Sequence, residues 1–134
     1  MDALEKFEGQ TGISTYYEFD GNTITLAPET ILQFLHIVHE CLSNIRKHSQ
    51  ATQVDVNLSY THGAECQLII HDNGLGFDNT SEAGETHVGI RIMKERTHRI
   101  NGVLMVDSAP NEGTTVCLTL PLTTQRLVKE ASTA

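Results

Sequence analysis

Asp72 closes a run of alternating apolar residues and is followed at once by two glycines, Gly74 and Gly76, in the stretch HDNGLGF. Because side chains alternate along a strand, Asp72 falls on the same inward face as Leu68 and Ile70. A carboxylate buried without partners is costly, so it must meet a hydrogen-bond donor from protein, water or a ligand. The glycines favour a ligand, since they let the backbone approach a flat ring. A plain Asn-Gly loop capped by an aspartate is the equal alternative when these residues are taken alone.

A second group of polar residues lies in HECLSNIRKHS, residues 39–49. On a helix, four of them fall within one arc on the side away from the apolar stripe: Glu40, Asn44, Lys47 and His48. Asn44 offers an amide oxygen suited to Mg²⁺, Lys47 a positive charge for phosphate oxygens, and Glu40 a carboxylate able to polarise a hydroxyl or water. The alternative, which this stretch alone favours, is a solvated helix face, and His48 by itself is no more than a polar surface histidine.

Two further stretches place glycine beside polar residues. In GETHVGIRIMKER, residues 84–96, a polar loop enters a helix whose free N–H groups suit phosphate, and Gly89 would allow close approach. In EGTTVCLTLP, residues 112–121, Thr114 would lie beside Asp72 if the two strands are neighbours. Taken alone, the first is also explained by ordinary core residues and the second by a turn glycine before β-favouring threonines.

The elements that must position these residues follow from hydrophobic periodicity. A polar leader precedes a β-hairpin made of TYYEF and TITL around Asp20-Gly21-Asn22. Pro28 opens a helix that runs to about Ser49. Its apolar residues recur at intervals of three and four and predict one buried stripe, made of Ile31, Leu35, Val38, Leu42 and Ile45.

The second half of the chain alternates between strands and polar segments. Residues 54–60 and 66–72 predict an antiparallel pair, and the polar stretch 73–86 is long enough to be a functional lid. A second helix follows from about His87 to Ile100 and ends at Asn101-Gly102. Two more strands, VLMVDS and TTVCLTL, are separated by turn residues, and Pro121 ends the last. The tail after Leu122 is expected to be loosely ordered.

Composition bounds the fold and the partners. The 134 residues suit a single domain, with an ordered core at about 13–122, and the pattern predicts an α+β two-layer sandwich: a mixed, mostly antiparallel sheet with helices on one face. A net charge of −8 argues against a nucleic-acid partner. Most of the basic residues nevertheless lie on the two helices beside the proposed pocket, which favours an anionic ligand: Arg46, Lys47, Arg91, Lys94, Arg96 and Arg99.

Neither a membrane helix nor a signal peptide is evident in the sequence, so we expect a soluble piece. Three distant cysteines, without a CxxC pair, suggest neither a disulfide framework nor a zinc site.

The order of the motifs is more specific than any one of them. ExxxNxxKH on a helix, DxGxG after a strand, HxGIxxMxxR after a lid and a final GTxVxLxLP together resemble the catalytic ATP-binding domain of sensor histidine kinases. This Bergerat-type (GHKL) family shares its fold with gyrase, Hsp90 and MutL. The third motif is most similar to the nitrate/nitrite-sensor and DesK-like branch, although Ile92 and Lys94 depart from it. The resemblance spans residues 28–121.

The resemblance implies a role for each predicted site residue. Asp72 accepts a hydrogen bond from the adenine amino group, assisted by Thr114, and the segment from Asn73 through Gly74 to Gly76 contacts the nucleotide and begins the lid. Asn44 holds the Mg²⁺ that bridges the phosphates. Lys47, as a catalytic residue, and His48 approach the phosphate oxygens, and Glu40 has a supporting catalytic role. The backbone at His87, Val88 and Gly89 receives the triphosphate.

For the whole protein, the resemblance implies that Mg-ATP donates its γ-phosphate to a histidine on a separate phosphoacceptor and dimerisation domain, with a response regulator downstream in two-component signalling. None of the seven histidines sits in a phosphoacceptor context, so we expect ATP binding without autophosphorylation. The domain is expected to be monomeric, and the full kinase a homodimer whose cytoplasmic portion holds this domain below a membrane sensor. The alternatives are a stand-alone serine kinase of the anti-sigma type and a non-catalytic nucleotide-binding interaction module.

Overall fold

A five-stranded sheet forms one layer of the molecule. The computed structural model describes residues 2–20, 26–61, 65–78 and 84–121. The strands are β1 Ser14–Asp20, β2 Gln53–Thr61, β3 Glu65–Asp72, β4 Val103–Ser108 and β5 Thr114–Pro121. Their order in the sheet is β1-β2-β3-β5-β4. Among the described strands only the β1–β2 pair is parallel. The predicted antiparallel pairing of β2 with β3 is confirmed.

Three helices form the second layer. They are α1 Asp2–Thr11, α2 Pro28–Asn44, which continues as a π-helical turn over Ile45–Ser49, and α3 Glu85–Arg99. The registers place Val56, Ile70 and Val116 in one row across the sheet, and Leu58, Leu68 and Leu118 in the next. Together with the inward side chains of α2 and α3, these rows form the hydrophobic core. The predicted α+β two-layer sandwich is confirmed.

The buried stripe of α2 differs from the predicted one. Ile31 and Leu35 are 46% and 44% exposed, whereas Phe34 and Ile37, which were not in the predicted stripe, are buried. The second half of the stripe is confirmed, since Val38, Leu42 and Ile45 are buried. A period of three and four fits two adjacent stripes equally well, and only the position of the sheet selects between them.

The N-terminal segment departs from prediction in two respects. The polar leader is the helix α1, which buries Phe7 against the core. β1 pairs with β2 in parallel, from Ser14 opposite Gln53 onward, and not in a local hairpin. Of the predicted hairpin partner only Leu26 is described and it is not in a strand; residues 21–25 lie outside the described part, as do 79–83 of the predicted lid and the tail from 122.

The later elements follow the prediction closely. α3 begins two residues before the expected His87, and Asn101 has the left-handed φ of 61° expected at the end of a helix. β4 and β5 lie where they were predicted. Within the described residues, each helix is too short or too polar to cross a lipid bilayer.

Candidate functional site

Three polar side chains stand side by side at one end of the core face of the sheet. Asp72 on β3 is directly opposite Thr114 on β5, and Thr114 is directly opposite Ser108 on β4. The next row inward is entirely apolar, with Ile70, Val116 and Val106 in the corresponding positions. The sheet therefore presents a short polar edge beside a flat apolar surface.

Asp72 is buried, with 4% of its surface exposed. One of its carboxylate oxygens accepts the backbone N–H of Gly74 at 2.8 Å. Burial raises the pKa of Asp72 above its ordinary value, and the Gly74 N–H and the nearby His71 offset part of that rise. Within the described residues the bond from Gly74 is the one hydrogen bond that the Asp72 side chain accepts, so the buried carboxylate retains acceptor capacity for a further donor.

Ser108 and Thr114 form a hydroxyl pair beside that carboxylate. Their oxygens are 2.7 Å apart, and the Ser108 hydroxyl also lies 3.1 Å from the backbone oxygen of Gly113. The backbone N–H of Phe77 donates to Ser108 at 3.0 Å. Ser108 therefore connects β5 to the segment that follows Asp72.

The rest of the cleft is largely apolar. Its sheet side consists of Ile70, Val106 and Val116, and its helix side of Cys41, Ile90 and Met93. The cavity volume of the cleft is about 60 Å³, well below the range of about 300–1,000 Å³ that is typical of small-molecule sites. The Cys41 thiol is 3.6 Å from the Met93 sulfur, and burial, then Glu40 and Asp72, raise the pKa of Cys41 to about 12. The thiol is therefore neutral at physiological pH, and this wall carries no charge.

The C-terminal end of α2 forms one rim of the cleft. Asn44 and His48 line it, together with Ser49 of the π-helical turn. The Ser49 hydroxyl donates to the Ile45 carbonyl (2.9 Å) and accepts the Ala51 N–H (3.1 Å), which fastens the end of the turn. π-helical turns are rare and are frequent at functional sites. The sequence predicted a regular helix as far as about Ser49, whereas the structure has a wider, π-helical turn over Ile45–Ser49.

The segment after Asp72 is held between this turn and the β4–β5 connection. The Leu75 N–H donates to the Ser49 carbonyl at 2.6 Å, and the Asn111 N–H donates to the Leu75 carbonyl. Gly76 lines the cleft at a φ of 67°, and a side chain there would meet the carbonyl of Ala109. The root of the predicted lid is thus fixed to the cleft, in a conformation that favours glycine.

α3 approaches α2 closely near its N-terminus. A Cβ on Gly89 would meet the end of the Glu40 side chain, so the absence of a side chain at Gly89 lets the Glu40 carboxylate lie against α3. The N–H of Val88 is already donated to the Gly84 carbonyl at 3.2 Å. The amides that the helix leaves without intrahelical partners therefore include His87 and the residues before it, but not Val88.

A sequence comparison agrees with this geometry. The profile of the family described as histidine kinase-, DNA gyrase B- and HSP90-like ATPase matches residues 29–124. The chain belongs to this ATPase family. The predicted membership is thus confirmed, and with it the prediction of an ATP-binding catalytic domain of the sensor histidine kinase type.

Individual relatives of this ATPase domain are sensor kinases. The chain is 34% identical over 122 residues to the signal transduction histidine-protein kinase/phosphatase DegS of Brevibacillus brevis, covering 91% of this chain and 31% of the relative. It is 27% identical over 117 residues to the nitrate/nitrite sensor protein NarQ of Escherichia coli, covering 87% of this chain and 20% of the relative. The chain thus spans about a third or less of these relatives.

Solved structures confirm the fold of the ATPase domain. The histidine kinase domain of the Erythrobacter litoralis EL346 blue-light activated kinase superposes with a TM-score of 0.72 at 21% identity, covering 96% of this chain and 60% of that one. The mycobacterial sensor histidine kinase MprB gives a TM-score of 0.69 at 20% identity, covering 90% of this chain and 89% of that one.

The cleft brings together only some of the residues predicted for the nucleotide site. The predicted residues that line it are Asn44, His48, Asp72, Gly76 and Thr114. Those that lie outside its lining are Glu40, Lys47, Asn73, Gly74, His87, Val88 and Gly89.

Several residues outside the lining support the site indirectly. Gly74 donates its N–H to Asp72, and Glu40 contacts the start of α3 at Gly89. The His87 ring packs edge-on against Phe77 at 5.2 Å between centroids. The side chain of Asn73 turns the other way: its oxygen accepts the N–H groups of Thr52 and Gln53, both at 3.0 Å. This bonding assigns Asn73 a structural role at the start of β2.

Ser108 is the functional candidate that the sequence interpretation missed. The signal was available, because in VLMVDS alternation places Ser108 on the inward face with Leu104 and Val106, as it places Asp72 in CQLIIHD. The apolar lining was missed for a different reason. Cys41 and Met93 look like ordinary core residues in sequence, and only the arrangement of the two helices brings them to the cleft.

The residues present fit a magnesium ion that is held mainly by its nucleotide. No group of three acidic, histidine or cysteine side chains in the described part of the chain could hold a metal by itself. Asn44 offers one amide oxygen at the rim of the cleft. Mg²⁺ typically combines one or two protein oxygens with phosphate oxygens and waters, so this arrangement suits Mg-ATP and not free Mg²⁺.

Proposed function

We propose that this domain binds Mg-ATP with the adenine in the cleft and presents the γ-phosphate to a histidine on a separate phosphoacceptor and dimerisation domain of the same protein. The observation that carries the proposal is the buried Asp72 carboxylate at the polar edge of an otherwise apolar cleft. It is suited to accept a hydrogen bond from an exocyclic amino group, while the apolar walls take the faces of a purine ring.

The proposed phosphate position is the mouth of the cleft between α2 and α3. Asn44 and His48 are at the α2 rim, and Ile90, in the first half of α3, lines the same cleft. A helix N-terminus stabilises phosphate through its free N–H groups and partial positive charge. We assign Mg²⁺ binding to Asn44, and charge neutralisation to exposed Lys47 on the same turn.

Catalysis in this proposal consists of positioning and charge neutralisation, because the attacking histidine belongs to another domain. The relatives' names as sensor kinases support a response regulator as the acceptor after that histidine. By the same reasoning, the full protein is a homodimeric sensor whose cytoplasmic portion contains this domain, with the domain itself monomeric.

Calorimetric titration of the chain with a non-hydrolysable ATP analogue, with and without Mg²⁺, tests the proposal. We expect binding that favours the ATP analogue over the GTP analogue and strengthens with Mg²⁺. Asp72→Asn should weaken binding about 10- to 100-fold, since it removes a hydrogen bond to a charged acceptor. Asn44→Ala should reduce the gain on adding Mg²⁺.

Asp107→Asn is the matched control, because Asp107 lies on neighbouring β4 but is exposed on the opposite face of the sheet. The nucleotide affinity of the Asp107→Asn variant should equal that of the unaltered chain. Equal nucleotide affinity in the Asp72→Asn and Asp107→Asn variants would refute the assignment of Asp72.

Phosphotransfer requires its own assay. The chain is mixed with the phosphoacceptor domain of its full-length protein and with ATP labelled at the γ-phosphate. The expected product is acid-labile, as phosphohistidine is. An acid-stable product would support the serine-kinase alternative, and no transfer with intact ATP binding would support the non-catalytic one.

A further inference from the structure

We propose that Ser108 is a positioning residue that sets the base selectivity of the cleft by holding the Thr114 hydroxyl as a hydrogen-bond acceptor. The inference rests on the proposed role of Asp72 in binding the base. Ser108 is buried, in register with Thr114, which is in turn in register with Asp72. In this row of the sheet, Thr114 therefore stands between Ser108 and Asp72, the proposed base contact.

The protons available to Ser108 determine the state of Thr114. A serine hydroxyl has one proton and two acceptor positions. The Phe77 N–H must donate to Ser108 (3.0 Å), and the Gly113 carbonyl (3.1 Å) must accept from it. The remaining contact, with Thr114 at 2.7 Å, is then satisfied only if Thr114 donates.

The opposite arrangement makes one bond fewer. If Ser108 donates to Thr114, the Gly113 carbonyl loses the Ser108 proton and with it one hydrogen bond. The arrangement with three bonds is therefore favoured. In that arrangement the Thr114 proton is used on Ser108, and Thr114 turns only acceptor lone pairs toward the cleft.

Two acceptors side by side discriminate between purines. A 6-amino group has donors for Asp72 and for the adjoining Thr114 oxygen, directly or through water. A 6-oxo group would face acceptors on both sides and make a hydrogen bond with neither, which is a strong basis for rejection. Without Ser108, the Thr114 proton is free to turn into the cleft and donate to a 6-oxo group.

The experiment compares non-hydrolysable ATP and ITP analogues by calorimetry on the full chain. Their bases differ at the 6-position, where adenine has an amino group and hypoxanthine an oxo group. They also differ at the adjacent N1, which accepts in adenine and donates in hypoxanthine, so the test is the change in the affinity ratio between variants. In Ser108→Ala we expect the ratio of ATP to ITP affinities to fall about 3- to 10-fold, the effect of one hydrogen bond. Ser108→Thr, which keeps a hydroxyl, should retain the ratio. Ser14→Ala, which removes a hydroxyl from exposed β1, should leave both affinities unchanged.

A double variant separates positioning from general damage. If selectivity is lost through the freed Thr114 proton, adding Ser108→Ala to Thr114→Val should leave the ratio of ATP to ITP affinities as it is in Thr114→Val alone. The proposal is overturned if folded Ser108→Ala keeps the ratio of the unaltered chain, or if the ratio falls equally in the Thr114→Val background. Should Asp72→Asn leave ATP affinity unchanged, the proposed function fails instead; an Asp72 effect without a Ser108 effect refutes this inference alone.

Discussion

Asp72 and Thr114 face each other across the antiparallel β3–β5 pair, at the last paired position before the chain leaves the sheet. The carboxylate is buried, and its only neighbour in register on β5 carries a hydroxyl. Buried carboxylates normally have several donors, whereas within the described residues this one accepts a single hydrogen bond, from Gly74. The carboxylate therefore retains acceptor capacity, and its burial is a cost to the stability of the ligand-free chain.

Asp72 should lower the stability of the ligand-free chain at neutral pH. Burial raises its pKa in the folded state, so between the ordinary value of 3.8 and the raised value the folded chain binds more protons than the unfolded chain. Stability should fall as pH rises through that window, and the full penalty should persist above it. Asp72→Asn, whose amide oxygen still accepts the Gly74 N–H, should therefore melt at a higher temperature than the unaltered chain at neutral pH.

Thermal unfolding from about pH 4 to about pH 8 measures this effect. The advantage of Asp72→Asn should shrink toward acid pH, where the carboxyl of the folded chain is protonated and no longer a buried charge. Asp107→Asn, with its exposed carboxyl, should show no comparable change. A lower melting temperature for Asp72→Asn at every pH would contradict the prediction.

Gly89→Ala should move the Glu40 side chain away from α3 at little cost in stability. The new methyl group would meet the carboxylate at the far end of that flexible side chain, and alanine favours a helix over glycine by up to about 1 kcal/mol. Urea unfolding should record a free energy of unfolding equal to or above that of the unaltered chain. In the Glu40→Ala background the gain should be at least as large; a clear loss in Gly89→Ala that vanishes in the Glu40→Ala background would show that Glu40 does not move aside.

Gly76→Ala should damage the root of the predicted lid. The substitution combines a φ of 67° with a collision against the Ala109 carbonyl, and we expect a loss of about 1–3 kcal/mol together with weaker nucleotide binding. Gly9→Ala is the control, since Gly9 lies in α1 with open space around it and a helix gains up to about 1 kcal/mol from alanine. A Gly76→Ala variant as stable as Gly9→Ala would refute the expected strain.

The two inward polar residues show what could be predicted from the sequence. Asp72 was found because a charge at the end of an apolar strand, followed by glycines, is conspicuous. Ser108 occupies the equivalent position on β4, but in the sequence it looks like an ordinary polar residue at the end of a strand. Its importance depends on three partners that are distant in sequence or in a turn: Phe77, Gly113 and Thr114.

In α2, the hydrophobic periodicity of the sequence predicted the ends of the helix but not all of its buried residues. It predicted the start at Pro28 and the end near Ser49, because proline and the loss of periodicity act locally. It could not select Phe34 and Ile37 over Ile31 and Leu35, since both pairs continue the same three-four spacing. That selection is made by contact with the sheet.

By itself, the sequence determined the family, the order of most helices and strands, and the inward direction of Asp72. These depend on residue types and on short-range backbone geometry, which act between residues close together in the chain. Tertiary structure decided the parallel pairing of β1, the π-helical turn beside the cleft, and the meeting of Asp72, Thr114 and Ser108 in one row. Sheet register joins residues that are dozens of positions apart, and no local pattern specifies which strands become neighbours.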